Sequence, residues 1–298
     1  MHIRVIGAPI DLGADRRGVD IGPSAIRYAG LHEQLERLGH IVHDVGNLVV
    51  PQPEGQPVGS PHLKYLDPII DLSEELVRQV ATALKEGEFP LVLGGDHSLA
   101  LGSISGVAHV HKNVGVLWID AHADFNTSET TPSGNIHGMV LAALAGLGDK
   151  RLTHVGGWAP KLHKEKIVIV GTRDLDSGEQ MLLRSHKIHV FTMSDIDQQG
   201  IFHIMQQAIA IAGQRGNNPI HLSLDMDSLD PREAPGVGTP VRGGLSYREA
   251  HLAMEMIAAS QLLVSMDVVE VNSILDRENA TAQLAVELIL SALGKKIL

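Results

Sequence analysis

Cysteine is absent from all 298 residues. That removes disulfide frameworks, thiolate nucleophiles, iron–sulfur clusters and cysteine-based zinc sites together. Aromatic side chains are scarce, at 3%, so the core must rest on Val, Ile, Leu and Ala. Basic blocks are missing as well: 24 Lys+Arg face 35 Asp+Glu, a formal net charge of −11 and a poor footing for gripping a phosphate backbone. Nucleic acid is therefore not an expected partner. The longest apolar runs, such as MVLAALAG at 139–146, fall far short of the ~20 residues that a membrane-spanning helix needs. The opening MHIRVIGAP lacks a charged-then-apolar signal pattern. The expectation is a soluble cytoplasmic protein without membrane association. Its 44% hydrophobic and 20% charged residues fit a globular chain, read here as a single domain over 1–298.

Short β-branched runs alternate with amphipathic stretches. Strands are predicted over 3–6, 40–45, 91–93, 114–119, 167–170, 189–191, 220–224 and 263–269. Most are nearly continuous apolar runs, the pattern of strands covered on both faces. Helices are predicted over 23–38, 68–86, 137–146, 180–185, 201–214, 247–259 and 280–293. In 68–86, Ile69, Leu72, Leu76, Val80 and Leu84 keep helical spacing. Ser246 followed by Glu249 reads as a capping box. The alternation argues for an α/β fold with a mostly parallel central sheet. Two long loops, 46–67 with four prolines and 148–166, interrupt it. The apolar helix at 280–293 reads as core in preference to interface.

The chemistry follows the strands. Leu91–Leu93 runs into Gly94-Gly95-Asp96-His97, Val116–Ile119 into Asp120-Ala121-His122-Ala123-Asp124, and His221–Leu224 into Asp225-Met226-Asp227. Open α/β sheets place their ligands at carboxyl strand ends, so these groups converge if the strands are parallel neighbours. In extended chain Asp120, His122 and Asp124 share one face, and Asp225 and Asp227 another. A lone Asp after a strand commonly caps the next helix. Four carboxylates packed together repel one another, and a divalent cation resolves that repulsion. Carboxylates with one or two imidazoles and no thiolate suit manganese, with Mg, Fe, Co and Zn less favoured. Six ligands exceed what one open ion needs, so two ions sharing bridging carboxylates, ~3.5–4 Å apart, are expected. The four Asp charges with a bridging hydroxide slightly exceed the charge of two such ions and favour a cationic substrate. His137, opening an apolar helix shortly after this cluster, is placed to move protons. Asp176 reads as a helix cap with Glu179 completing a capping pair. Glu270, at the end of a buried strand, needs a cation partner.

The motifs G-G-D-H at 94–97, D-A-H-A-D at 120–124 and S-L-D-M-D-S-L-D-P at 223–231 resemble the ureohydrolase family, the arginases and agmatinases. The likeness runs from Gly18-Val19-Asp20-Ile21-Gly22-Pro23 to Glu270-Val271-Asn272. It implies a three-layer α/β/α fold, two Mn(2+) per subunit and hydrolysis of a guanidino group to urea plus an amine. D-F-N at 124–126, T-P-S-G-N-I-H-G-M at 131–139, D-S-G-E at 176–179 and A-P-G-V-G-T-P at 234–240 are similar to the arginase branch. The implied reaction is hydrolysis of L-arginine to L-ornithine and urea by a hydroxide bridging the two manganese ions.

By the same resemblance His97, Asp120, Asp124 and Asp225 ligate one ion, and Asp120, His122, Asp225 and Asp227 the other, with Asp120 and Asp225 bridging. Asn126, Thr131 and Ser133 are implied to hold the substrate α-carboxylate, Asp176 and Glu179 its α-amino group, and Thr239 to join the substrate contacts. Glu270 pairs with the guanidinium, Asp124 passes a proton to the leaving nitrogen and His137 shuttles protons with solvent. Ser273 stands where many members have proline, which is expected to loosen that loop. The resemblance also implies a homo-oligomer, trimer or hexamer. The rival readings are an agmatinase or formimidoylglutamase, a single-zinc deacetylase on the same fold, and a non-catalytic protein that keeps the metals as a clip.

Overall fold

The computed structural model describes residues 1–296. Its strands are β1 His2–Ala8, β2 Ile41–Asn47, β3 Gly59–Ser60, β4 Leu63–Lys64, β5 Phe89–Gly94, β6 Gly115–Ile119, β7 Ile167–Thr172, β8 His189–Thr192, β9 Ile220–Asp225 and β10 Leu263–Val269. All eight predicted strands are present and pair in the order β2-β1-β5-β10-β9-β6-β7-β8. Every neighbouring pair in that sheet is parallel. The three strands that end in His or Asp motifs thus lie side by side with β10, which ends in Glu270.

The helices are α1 Gly22–Tyr28, α2 Leu31–Arg37, α3 Leu66–Lys85, α4 Ala100–Val110, α5 Val140–Leu144, α6 Lys150–Thr153, α7 Ser177–His186, α8 Met193–Gln199, α9 Ile201–Ala212, α10 Tyr247–Ser260 and α11 Ala280–Ala292. Successive strand residues face opposite layers, as the two-residue period of a strand requires. Leu91 and Leu93, Leu117 and Ile119, and Val168 and Val170 join the core under α1, α2, α9, α10 and α11. Val92, Val116, Trp118, Ile167 and Ile169 join the core under α3, α4 and α5. Two helical layers therefore sandwich the sheet, the α/β/α architecture expected. Helix α11 is core, with Leu284, Val286, Leu288 and Ile289 buried.

Several elements depart from the sequence reading. The helix predicted over 23–38 is two helices, because Gly30 at φ 83 ends α1 and starts α2 at a new angle. Helix α4 was not predicted. It is buried on every side, so it carries no polar face to reveal a helical period. The stretch 137–146 begins as a 3-10 turn, Ile136–Met139, before α5. The loop 46–67 contains the β3–β4 hairpin, whose Lys64 N–H donates to the Gly134 carbonyl at 3.1 Å. Gly134 has φ 78, and a Cβ there would meet the Pro61 carbonyl oxygen at 1.8 Å, so only glycine admits this contact. The edge strand β2 is largely exposed, unlike the covered strands inside the sheet.

Candidate metal centre and substrate cleft

Four adjacent strand ends build the site. After β5, Asp96 caps the turn His97–Leu99 by accepting from the Ser98 N–H, which aims His97 back over the sheet. His97 is fully buried and stacks on Trp118, ring centroids 3.8 Å apart and planes 6° from parallel. Trp118 also donates its indole N–H to Asp120 at 2.9 Å, so one aromatic side chain fixes two neighbours. Around His97 Nδ1 lie carboxylate oxygens of Asp120 at 3.1 Å, Asp225 at 3.1 Å and Asp124 at 3.3 Å. Around His122 Nδ1 lie Asp227 at 3.2 Å and the other oxygen of Asp120 at 3.4 Å.

Two potential cation-binding groups result, His97–Asp120–Asp225 and Asp120–His122–Asp227, their ligand atoms lying within 4.8 Å of one another in each. Asp120 belongs to both. Asp124 stands outside both triplets but within reach of His97. The convergence expected from the motifs is present, although its geometric cause differs from the extended chain assumed above. Strand β6 stops at Ile119, and Asp124 sits at φ 49. Asp225 and Asp227 flank the start of a 3-10 turn, Met226–Ser228, where Asp225 accepts from the Asp227 N–H at 2.8 Å.

The donor set fits divalent cations. One imidazole nitrogen can donate a single proton, yet three carboxylate oxygens surround His97 Nδ1. Burial and the Asp120 carboxylate push Asp124 well above the usual carboxylate range. Burial, then Asp227 and Asp120, do the same to Asp225. Burial disfavours charge on His97, yet Asp120 and Asp124 hold its pKa up at about 9. Protons thus gather where a cation's charge is wanted.

Beneath His97 the sheet carries a polar column. His97 Nε2 lies 2.8 Å from Ser223 Oγ. Ser223 in turn donates to Asp267, which also accepts from Ser103 at 2.6 Å and faces His221 Nε2 at 3.0 Å. His221 Nδ1 reaches Ser265 Oγ at 2.8 Å. Asp267 is fully buried; burial alone would raise its pKa, but His221 beside it holds it below the usual range. An ionised carboxylate only accepts, so the Ser223 hydroxyl proton points at Asp267 and its lone pair takes the His97 Nε2–H. His97 Nδ1 is thereby the nitrogen that faces the carboxylates, where a bound cation would replace its proton.

Two cavities flank the cluster, sharing His122, His137, Asp174 and Thr239 in their walls. The smaller, about 220 Å³, is lined by Asp124, Asn126, Thr131, Ser133, Asp176 and Glu179. The larger, about 710 Å³, is reached by Glu270. Asp176 caps α7 by accepting from the Glu179 N–H at 2.9 Å, as the sequence suggests. Glu179 does not complete the pair: its carboxylate turns away to accept from the Phe125 N–H at 2.9 Å. Asn126 donates to Asp176 at 2.7 Å and accepts from Thr130 at 2.8 Å, leaving one amide hydrogen for the cleft. Thr239 donates to Asp227 at 2.9 Å and so links cleft wall to cluster.

Glu270, buried at φ 65, accepts from the His97 N–H at 3.1 Å and lies 3.4 Å from His137 Nδ1. Burial depresses His137, but the Glu270 carboxylate more than offsets this and raises it. Just before Ser273, Asn272 ties the loop down through its N–H to the Gly236 carbonyl at 2.7 Å and its side chain to the Arg17 carbonyl at 3.1 Å. Sequence reasoning missed Trp118, the Ser103–His221–Ser265–Asp267 column and the cleft residue Asp174. The available signals are the polar residues inside buried strands, Ser265 and Asp267 in β10 and His221 and Ser223 in β9.

The profile described as the arginase family matches residues 1–294. The chain is similar to the arginase of Brevibacillus brevis, 52% identical over 100% of this chain and 99% of that protein. Its fold is similar to the native structure of the Bacillus caldovelox arginase, with a TM-score of 0.96 at 49% identity over 99% of both chains. It is equally similar to the Bacillus cereus arginase, with a TM-score of 0.95 at 50% identity over the whole of both chains.

Proposed function

The chain belongs to the arginase family and hydrolyses L-arginine to L-ornithine and urea, and on that premise we propose a centre with two manganese ions per subunit. The observation that carries this reading is the pair of donor groups sharing Asp120. We assign His97, Asp120, Asp124 and Asp225 to one ion and Asp120, His122, Asp225 and Asp227 to the other. A pair of divalent cations, when bound, lowers the pKa of a shared water and so supplies a nucleophile near neutral pH.

The remaining work falls to side chains. Guanidinium is a resonance-stabilised cation and must be held. Glu270, buried and without a Lys or Arg partner among the described residues, is the carboxylate free to pair with it. Its anchor to the His97 N–H fixes where the guanidino group sits relative to the cluster. Asp124 lies between cluster and cleft, so it is the carboxylate able to take a proton and hand it to the departing nitrogen. His137, in the wall of both cavities, exchanges protons with solvent. At the far end Asn126, Thr131 and Ser133 receive the α-carboxylate, and Asp176 and Glu179 the α-ammonium, with Thr239 closing one side. Agmatine lacks the α-carboxylate and leaves the first of these sets unused.

We also take the chain to be one domain that acts in the cytoplasm as a homo-oligomer, trimer or hexamer, without membrane or nucleic-acid partners. No helix among the described residues is long and apolar enough to cross a membrane. The decisive assay is urea release from equal L-arginine and agmatine, with added manganese and with chelator. Manganese-dependent urea from arginine alone is expected. Release from agmatine instead would overturn the roles given to Asn126, Ser133 and Asp176.

A further inference from the structure

Arg173 follows directly after β7, and its guanidinium makes no ion pair among the described residues. It donates to main-chain carbonyls instead: Gly171 at 3.2 Å, Asp227 at 2.7 Å, Ser228 at 3.1 Å, Leu229 at 3.2 Å and Val241 at 2.7 Å. Its own N–H donates to the Ala121 carbonyl at 2.9 Å. Of the negative charges felt there, Asp227, Asp120 and Asp225 belong to the cluster and Asp230 follows it in the chain. An unpaired guanidinium normally finds a carboxylate or water. A five-carbonyl nest for one side chain is a built feature, and a Cβ on Gly244 would run into Arg173 Nη2 at 2.6 Å.

These carbonyls belong to three separate segments. One is the end of β7, one the turn 227–229 that carries Asp227, and one the loop carrying Thr239, whose hydroxyl donates to Asp227. The Ala121 contact adds a fourth, the chain between Asp120 and His122. The turn also bridges to Leu245 through Leu229, and the Ala121 N–H donates to the Asp227 carboxylate at 3.2 Å, but no strand of the sheet joins the turn to the 239–241 loop. We propose that Arg173 is the positioning residue of the His122–Asp227 half of the centre: its rigid fork clamps the turn and the Thr239 loop together, presets the Asp227 carboxylate and places a fixed positive charge behind it. It touches neither substrate nor cation. This inference rests on the two-ion reading above.

The test is calorimetric titration of manganese chloride into the metal-free full chain, with low-temperature electron paramagnetic resonance to separate paired from single ions. Wild type binds two ions per chain. Arg173→Lys keeps the charge but cannot span five carbonyls, so one ion binds as in wild type and the other about 10–100-fold more weakly. In a His97→Ala background, which retains only the His122 half, adding Arg173→Lys weakens the remaining ion by the same factor. Thr239→Val, at a half-buried position outside the sheet, gives a smaller loss confined to the same ion. Two ions of wild-type affinity in Arg173→Lys overturn the inference, as does equal weakening of both ions with circular dichroism and melting unchanged. Should Arg173→Lys not fold, wild-type binding by Thr239→Val overturns it. Fewer than two ions in wild type overturn the two-ion reading itself, and this inference falls with it.

Discussion

The two halves of the cluster use similar chemistry, an imidazole with carboxylates, but opposite means of support. His97 is wholly buried, stacked on Trp118 and held from below by Ser223 and Asp267, side chains of the sheet interior. His122 is 26% exposed at the side chain, and its partner Asp227 sits on a turn held by Thr239 and by main-chain contacts to Arg173. One half takes its geometry from side chains packed inside the core. The other takes it from loops tied together by one long side chain. A misplacement in the first is therefore a defect of the sheet interior, while a misplacement in the second begins in a turn whose Met226 and Leu229 still pack into the core.

The comparison is broken most severely by removing ligands. His97→Ala or Asp124→Asn is expected to lower turnover by more than ~100-fold, beyond the range typical of residues behind a metal ligand. His137→Asn, in the cleft wall, leaves a reduced but measurable rate, read as urea release with saturating manganese. Equal loss in all three variants would sink the division between cluster and proton-shuttle roles.

Asp267→Ala probes the buried support itself. It strips His221, Ser103 and Ser223 of a shared acceptor and is expected to cost about 3–5 kcal/mol in denaturant unfolding. It also weakens manganese binding ~10–100-fold at the His97 half. Unchanged stability would show that the column does not carry that half.

The smallest effect lies remote from both halves and serves as their control. Lys161 is buried, donates to the Thr153 and Trp158 carbonyls, and is pulled down to about 8 by burial. Its pKa in the unfolded chain is near 10.5. Between these values the unfolded state holds the extra proton, so stability rises as pH climbs from about 8 toward 10.5. Below that window the full penalty of a buried charge is present. The difference in unfolding free energy between wild type and Lys161→Met should follow this rise with or without manganese. A difference that depends on the metal would tie Lys161 to the cluster.

Much of this organisation is legible in the residues. The eight sheet strands announce themselves as β-branched runs, and G-G-D-H, D-A-H-A-D and D-M-D mark where three of them end. The capping boxes are equally local: Ser246 and Glu249 pair as predicted, because a cap involves residues only three apart. Local patterns fail where burial is complete or contacts are distant. Helix α4 has no polar side to set a period. Glu179 abandons its cap for the Phe125 N–H, 54 positions back in the chain. The column of Ser103, Ser223 and Asp267 joins residues up to 164 positions apart, and the segment around each does not show which partner it meets.

The inventory is readable along the chain: alternating strands and helices, a cysteine-free set of Asp and His at strand ends, and a family likeness that carries the reaction. These follow from local periodicity and residue type, which a linear chain displays. Tertiary structure alone decided which nitrogen of His97 faces the carboxylates, that Asp124 reaches the cluster from a left-handed turn, and that Arg173 spends its charge on carbonyls. Each of those depends on hydrogen bonds whose direction and reach are set by neighbours far along the chain. Only closing the parallel sheet brings those neighbours within 3 Å or so of one another.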